Sequence, residues 1–256
     1  MRPALPEAFL SVPIAHRALH DIENARPENS RTAIEAAIEA GYGIEIDLQL
    51  TSDAQAMVFH DYDMTRLTGQ PGPIQQIPAR QAQQTALLKG DGAGIPSLED
   101  VLTLVAGRVP LLIELKDQDG AMGPNIGALE AATVRALQGY QGPVALMSFN
   151  PHSVVELARL APDIPRGIVT CSYQPKVELL PEAVCDHLRG IPDFDRAHAS
   201  FISHEAKDLS RPRVAELKAR GVPILCWTIR SPEEEAQARL VADNVTFEGY
   251  LAEHSA

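Results

Sequence analysis

Two short segments of the chain carry carboxylates at alternate positions of an apolar run. The segment IEIDLQL contains Glu45 and Asp47, and the segment LLIELK contains Glu114 and Lys116. Because successive residues of a strand point to opposite faces, each pair shares one face while the isoleucines and leucines between them take the other. Three carboxylates gathered in one pocket, beside Lys116 and the nearby His60, predict a site for a divalent cation with acid and base groups around it.

The elements that must position these side chains alternate between strands and helices along the chain. The eight candidate strands are SVPIAHR, YGIEIDLQL, VPLLIELK, PVALMSF, RGIVTC, SFISH, VPILCWTI and NVTFEG, with AMVFHD as a short continuation of the second. Helical patterns fill the seven intervals between them, as in SLEDVLTLVA, where Ser97 is expected to cap the helix start. The closing residues YLAEHSA are too few for a full eighth helix.

This alternation predicts an α/β fold, a TIM (β/α)8 barrel, with a doubly wound open sheet as its competitor. The barrel is favoured by where the ionisable residues fall. His16 and Arg17 close the first strand, the carboxylates lie on the second and third, and Trp227 lies near the end of the seventh. In a barrel the carboxyl ends of distant strands converge on one mouth. We expect a single domain over residues 1–256, with a small insertion at about 61–96.

The composition restricts the partners and the location of the protein. With 22 Lys and Arg against 34 Asp and Glu, the net charge of −12 argues against nucleic acid, whose phosphates need cationic partners. No stretch approaches the roughly 20 apolar residues that span a bilayer, and prolines interrupt the apolar run at the N-terminus. The three widely spaced cysteines, Cys171, Cys185 and Cys226, are typical of reduced thiols. We therefore expect a cytoplasmic protein without stable membrane insertion, and the sequence leaves its oligomeric state open.

Seven short motifs occur in order along nearly the whole chain. They are AHR at 15–17, PENS at 27–30, EIDLQLTSD at 45–53, VFHD at 58–61, IPSLEDVL at 95–102, LLIELK at 111–116 and CWTI at 226–229. One such motif alone would be a weak signal, whereas their co-linear occurrence is specific. The chain resembles the glycerophosphodiester phosphodiesterase family.

The resemblance implies a TIM barrel that hydrolyses a small-molecule phosphodiester substrate to glycerol 3-phosphate and an alcohol. Matches to the family's carboxylates imply that Glu45, Asp47 and Glu114 hold one divalent metal ion. Bare carboxylates would repel a phosphodiester, so the cation must reverse the local potential. Oxygen ligands favour Mg²⁺, Ca²⁺ or Mn²⁺ as a class without choosing among them.

The same resemblance assigns the remaining groups of the reaction. The residues matching the family's two histidines, His16 and His60, imply a general acid and a general base, and those matching Arg17 and Lys116 meet the phosphate. In the family's usual course the glycerol 2-hydroxyl attacks phosphorus, and water then opens the cyclic phosphate. Imidazole suits both proton transfers because its pKa of about 6.5 lies near neutrality.

Three departures from the family pattern concern the substrate side. Ala18 stands where a glycine commonly follows the His-Arg pair, and we expect a barrel-end loop to tolerate alanine there only if its φ is negative. The loop ALHDIENAR at 18–26 is longer than usual and could reshape the pocket. The family's Thr-Asp-x-Pro ending appears only as Thr-Phe-Glu-Gly at 246–249.

Several further residues have two interpretations. Glu28 is a possible pocket residue, although we expect it to fix the start of the following helix. Trp227 is as much a core candidate as a pocket wall. Other histidines, including His20 and His204, are expected in loops or at the surface.

Two alternative functions remain open. A lysophospholipase-D-like enzyme, acting on a lipid-tailed phosphodiester, would need an apolar groove, and the segment 61–96 is poor in large apolar residues. A barrel that binds a phosphate compound without turnover is the other, but such a protein has no need of the second histidine.

Overall fold

Eight parallel strands close into a barrel in the computed structural model, which describes residues 2–254. With the antiparallel β3, the sheet has nine strands: β1 (Ile14–Ala15), β2 (Gly43–Leu50), β3 (Ala56–Val58), β4 (Leu111–Leu115), β5 (Val144–Ser148), β6 (Arg166–Thr170), β7 (Phe201–Glu205), β8 (Ile224–Ile229) and β9 (Asn244–Phe247). The barrel closes because β1 pairs in parallel with both β2 and β9, while β3 pairs antiparallel with the end of β2. The predicted TIM barrel is confirmed, and the open sheet is excluded.

Helices connect successive barrel strands on the outside. They are α1 (Ala8–Ser11), α2 (Arg31–Glu39), α3 (Thr65–Thr68), α4 (Ala79–Gln84), α5 (Leu98–Val105), α6 (Ala128–Ala136), α7 (Pro151–Leu160), α8 (Pro175–Glu178), α9 (Glu182–Arg189), α10 (Pro212–Ala219) and α11 (Pro232–Ala238), with 3-10 turns at Ile22–Asn24, Ile74–Gln76, Pro192–Phe194 and Ala206–Asp208. Ser97 caps α5 as predicted, in a reciprocal pair of bonds with Asp100. Within residues 2–254 no helix follows β9, and none of the helices has the length and apolar character needed to cross a bilayer.

The interior of the barrel is apolar at one end only. Phe9 and Leu5, from the segment before β1, close the amino-terminal end of the barrel and pack with inward side chains such as Leu112 and Phe201. A methyl group added at Gly167 would lie 2.3 Å from the ring of Phe201, so β6 needs glycine where that ring crosses the interior. The packed end leaves the polar inward residues to the opposite, carboxyl-terminal end of the strands.

The segment 61–96 folds beside the barrel mouth. It contains α3 and α4, and its apolar side chains, including Met64 and Ile74, pack in a cluster with Met57 and Phe59 of the β3 region. Most of its large apolar residues are therefore buried in this cluster.

His204 is fully buried on the outer face of β7, and its expected place in a loop or at the surface was wrong. Its ring bonds Thr170 of β6 on one side and Asp208 on the other. All its polar atoms thereby have partners, as a buried imidazole requires. This network joins β6, β7 and the turn after β7, and it lies outside the barrel interior.

Candidate active site

A cavity of about 280 Å³ lies at the carboxyl-terminal end of the barrel strands. It is lined by ionisable residues on β2 and β4 and just after β1, β3, β4 and β8, the last being Arg230, and by apolar side chains of β5, β6 and β8. The predicted residues His16, Arg17, Glu45, His60, Glu114, Lys116 and Trp227 are all part of this lining. Side chains far apart in the sequence therefore meet in one volume, as strand convergence at a barrel mouth requires.

Three buried carboxylates meet at the cavity: Glu45 and Glu114 line it, and Asp47 lies beside them without lining it. Glu45, Asp47 and Glu114 each offer an oxygen within 4.8 Å of the others, and none is more than 6 % exposed. The strand register explains their meeting, because Asp47 of β2 lies beside Glu114 of β4, and Glu45 precedes Asp47 on the same face. Three like charges at this spacing need compensation.

Asp47 receives most of the compensation that the protein itself supplies. Lys116 Nζ lies 2.8 Å from Asp47 Oδ1 and 2.7 Å from Glu114 Oε1. Arg17 Nε lies 3.5 Å from Asp47 Oδ2, to which the Asn29 amide also donates at 2.9 Å. Burial acts to raise the pKa of Asp47, but Lys116 and the other nearby cations outweigh it and hold that pKa below its usual range. Asp47 is therefore ionised.

Glu45 is the least compensated of the three. Its Oε2 accepts a bond from the backbone N–H of Arg17 at 2.9 Å, whereas its Oε1 is buried without a partner among residues 2–254. Burial, followed by the charges of Asp47 and Glu114, raises the pKa of Glu45 well above its ordinary value. An unpartnered carboxylate oxygen beside two other acids is a place that a divalent cation would occupy favourably, and an all-oxygen donor set suits a hard ion. The residues fit the predicted metal ion.

Each of the two predicted histidines is bonded to a carboxylate. His16 Nδ1 lies 2.5 Å from Glu248 Oε2, and His60 Nδ1 lies 2.7 Å from Asp61 Oδ1. A carboxylate on Nδ1 fixes the ring and leaves Nε2 as the nitrogen available to a ligand. Both rings are thereby oriented at the edge of a cavity that Glu45 and Glu114 also line.

Glu248 is a residue that the sequence reasoning missed. Besides His16, its carboxylate contacts Arg230 Nη2 at 2.7 Å and His20 Nε2 at 3.5 Å. The bonds from the two histidines lower the pKa of Glu248 despite its partial burial. Burial lowers the pKa of His16, and the bond to Glu248 opposes that effect. The sequence feature that could have revealed Glu248 is the alternation of side chains along a strand, which places residue 248 on the same face as Thr246.

The backbone around Arg17 is held in an unusual conformation. Arg17 and Ala18 have φ angles of +51° and +64°, so the expected need for a negative φ at Ala18 was wrong. Such angles are costly for residues with a Cβ. They are held by backbone bonds from the N–H of Ala18 to Glu45 O at 3.0 Å and from the N–H of Asn29 to Arg17 O at 2.9 Å. The turn aims the Arg17 side chain at the cavity and its N–H at Glu45.

Glu28 does not line the cavity but fixes the cations at its rim. Its Oε1 accepts from Arg17 Nη1 at 2.7 Å, and both of its oxygens contact Arg66. The start of α2 is capped by the neighbouring Ser30. Glu28 thus positions Arg17, whereas Trp227 lies on the cavity wall with its Nε1 donating to the carbonyl of Ser203 at 3.1 Å.

A second, larger groove adjoins the cavity. It has a volume of about 700 Å³ and shares His60, Glu114, Lys116 and Phe149 with the cavity, but not His16. Its lining also includes Tyr62, Met122 and four further carboxylates, those of Asp61, Asp63, Asp117 and Glu178. The two volumes meet at His60, Glu114 and Lys116.

Comparison with known proteins gives one consistent match. A sequence model described as the glycerophosphoryl diester phosphodiesterase family matches residues 16–246. A putative glycerophosphodiester phosphodiesterase of Bacillus subtilis, YhdW, is 27% identical over 234 residues, which cover 88% of each chain. The glycerophosphodiester phosphodiesterase of Caldanaerobacter subterraneus is 30% identical over 165 residues, or 61% of this chain and 65% of the relative.

Solved structures share the fold over almost all of the chain. An Oleispira antarctica phosphodiesterase, solved in complex with the product sn-glycerol-3-phosphate, superposes with a TM-score of 0.73 at 24% identity, covering 94% of each chain. A putative glycerophosphoryl diester phosphodiesterase of Agrobacterium tumefaciens gives a TM-score of 0.75 at 19% identity, covering 93% of each chain. At these identities the likeness concerns the fold.

The crowding of the three acids leads to a prediction for Glu45→Gln. Without added metal, this variant should be at least as stable as the parent protein, because it removes one uncompensated charge and gains an amide that can donate to its neighbours. With Mg²⁺, Ca²⁺ or Mn²⁺ added, the parent protein should gain about 2.7 kcal/mol at roughly one hundred times the Kd of the ion. The variant should lose most of that gain, which thermal unfolding with and without each ion measures.

The matched control for this experiment is Glu130→Gln. Glu130 is also a buried carboxylate, but it accepts a bond from the N–H of Gly127 at the start of α6, on the outside of the barrel. That variant should unfold more easily yet keep the full gain from the metal ion. An undiminished gain in Glu45→Gln would contradict the ligand role of Glu45.

Proposed function

Because the chain belongs to the glycerophosphoryl diester phosphodiesterase family, we propose that it hydrolyses small glycerophosphodiesters with the help of one divalent cation. The observation that carries the proposal is the meeting of three buried carboxylates, two carboxylate-bonded histidines and the cations Arg17 and Lys116 at one cavity. A barrel that only bound phosphate would not need two oriented imidazoles at its binding cavity. The products would be glycerol 3-phosphate and an alcohol.

The binding of the phosphodiester follows from the charges around the cavity. Glu45, Asp47 and Glu114 would hold the cation, which when bound supplies Lewis acidity and lowers the pKa of a hydroxyl. Arg17 can present two N–H groups of its fork to phosphate oxygens, and Lys116 adds a point charge. Arg17 and Lys116 both contact Asp47, so a bound phosphate would replace part of these contacts with its own oxygens.

The two volumes support different roles for the histidines. His16 lines only the inner cavity, where it would take the proton of the glycerol 2-hydroxyl as that oxygen bonds to phosphorus. His60 lines both the cavity and the groove, where it would give a proton to the alcohol oxygen as its bond to phosphorus breaks. In the second step, water attacks phosphorus and opens the cyclic phosphate. His60 would take a proton from that water, and His16 would return its proton to the glycerol 2-oxygen as the bond from this oxygen to phosphorus breaks.

The groove would receive the departing alcohol, and its lining supports a cationic one. The rings of Tyr62 and Phe149 lie among several carboxylates, including Asp63 and Glu178. Aromatic faces and acids together attract ammonium groups. Arg66 also lines the groove, but its charge is paired with the carboxylates of Asp61 and Glu28. A choline or ethanolamine ester is therefore the preferred small substrate of this proposal.

A second candidate function draws on the apolar part of the same groove. Met122, Phe149 and Tyr62 supply the apolar surface that the segment 61–96 lacks in its sequence, and two of them come from outside that segment. Val177 and Leu179, which flank the groove residue Glu178, are 69% and 87% exposed. These features favour, as the alternative, a lysophospholipase-D-like reaction in which the acyl chain on the glycerol, and not the departing alcohol, would occupy the groove.

The cytoplasmic location remains part of the proposal and rests on the cysteines. Cys171, Cys185 and Cys226 are buried and unpaired in the described structure. Burial raises the pKa of the Cys171 and Cys226 thiols to about 12, which makes them unreactive. Unpaired thiols of this kind suit a reducing compartment.

The decisive experiment measures glycerol 3-phosphate release from choline, ethanolamine, inositol and glycerol esters, and choline release from lysophosphatidylcholine, whose other product is an acylglycerol phosphate. We expect turnover of the choline and ethanolamine esters, loss of turnover with a chelator, and recovery with Mg²⁺, Ca²⁺ or Mn²⁺. Faster turnover of the lysolipid than of any small ester would favour the second candidate. The absence of turnover with every ester and ion would overturn the proposed function.

Substitution of the two histidines should separate their roles. His60→Ala should lose about 10²- to 10⁴-fold in kcat with a choline ester but much less with a p-nitrophenyl ester, whose leaving group needs no proton. His16→Ala should lose similar activity with both esters, because the attacking hydroxyl is the same. The two rates per variant are read from alcohol release, and equal losses for His60→Ala on both esters would contradict the acid role.

Glu248 should act through His16 as a positioning residue. We expect Glu248→Gln to lower kcat about ten- to hundredfold, a range typical of carboxylates that orient functional histidines. KM and the thermal gain from the metal ion should remain, and the loss should be equal for choline and p-nitrophenyl esters. Glu233→Gln, a substitution of an exposed acid at the start of α11, is the control. A loss confined to stability would assign Glu248 a merely structural role.

A further inference from the structure

Two hydroxyl groups in the cavity lack hydrogen-bond partners. The Oγ of Ser203 and the Oγ1 of Thr246 are buried and unpartnered among residues 2–254, and the two residues are 0% and 2% exposed. Both line the cavity. By contrast, Ser148 on β5 donates to the carbonyl of Leu115 at 2.7 Å. Buried hydroxyls are costly without a partner, so this pair is suited to a polar ligand.

The barrel places these hydroxyls away from the charged wall. In the closed strand order, β7 with Ser203 lies across the barrel from β2 and β4, which carry the three carboxylates. Thr246 lies on β9, next to β1 and His16. Between β7 and β9 the lining consists of Trp227 and Thr228 of β8 and of Arg230 just after it, and Val169 of β6 lies on the other side of β7. The two hydroxyls thus lie on strands that carry none of the three carboxylates.

The glycerol unit of the substrate has one hydroxyl that the proposed chemistry does not use. With the phosphate at Arg17 and Lys116 and the 2-hydroxyl at His16, the terminal hydroxyl remains. The cavity of about 280 Å³ is large enough for glycerol phosphate but leaves the alcohol to the groove. The terminal hydroxymethyl group, directed away from the carboxylates, would meet the wall that carries Ser203 and Thr246.

We propose that Ser203 and Thr246 form the recognition site for the terminal hydroxyl of the glycerol unit. A hydroxyl can both donate and accept, so it matches two hydroxyl partners of the same kind. The pair would thereby select glycerol esters over esters of diols that lack this group. This inference rests on the proposed function and adds to it the basis of its glycerol specificity.

The test compares two choline phosphodiesters, one of glycerol and one of 1,2-ethanediol. The ethanediol ester keeps the hydroxyl that attacks phosphorus and lacks only the hydroxymethyl group. The parent protein should prefer the glycerol ester by about 10²-fold or more in kcat/KM, because sites built to bond a hydroxyl reject analogues without it. The double variant S203A/T246V should reduce that preference to about tenfold or less, mainly by slowing the glycerol ester.

Ser153→Ala is the matched control for the lost hydroxyl. Ser153 Oγ is also buried and unpartnered in the described structure, but Ser153 belongs to α7 and does not line the cavity. That variant should keep the full preference, and all variants should keep the thermal gain from the metal ion.

Three results would overturn the inference, and they differ from one another. A double variant that keeps the parent's preference for the glycerol ester would show that these hydroxyls do not bind the terminal hydroxyl of the glycerol unit. A parent protein that cleaves both esters equally would show that the site has no such selectivity. Failure of the parent protein on both esters with every ion would overturn the proposed function itself, and this inference with it.

Discussion

The constraint on which the rest of the site depends is the burial of three carboxylates within 4.8 Å of one another at one small cavity. Separately, each acid would be costly to ionise away from water, and together they repel one another. Lys116 and Arg17 balance part of the charge, so that, when all three acids are ionised, they exceed these two cations by one negative charge. That excess attracts a divalent cation, and the ion in turn makes the cavity attractive to an anionic phosphodiester. A site without the excess would bind neither.

The barrel turns this local chemistry into a defined geometry. Alternation along a strand places Glu45 and Asp47 on one face, and the register between β2 and β4 brings Glu114 beside Asp47. These relations follow from the period of a strand and the order of the strands, so the sequence alone was sufficient to predict the fold and the residues that meet. The packed end of the barrel, closed by Phe9 and Phe201, depends equally on inward residues, and its glycine at position 167 was not distinguishable beforehand.

The sequence could not predict side-chain contacts between segments whose positions are not related by the periodicity of a strand or by the order of the strands. Glu248 reaches His16 across 232 positions of the chain, and the neighbouring contact to His20 depends on the path of the long loop at 18–26. His204, in contrast, was expected in a loop or at the surface, because a single histidine in a short strand does not reveal whether its partners are protein groups or water. In both cases the deciding information is a tertiary hydrogen bond.

The strained turn at Arg17 and Ala18 links these observations. Two left-handed residues in succession are unfavourable, and replacing the usual glycine by Ala18 makes the turn more so. The conformation nevertheless directs the N–H of Arg17 to Glu45, its carbonyl to Asn29, and its guanidinium to Asp47 and Glu28. Asn29 also bonds Asp47, so one turn contacts two of the three acids and their principal helpers. The strain is retained because relaxing it would release the groups that keep the carboxylates together.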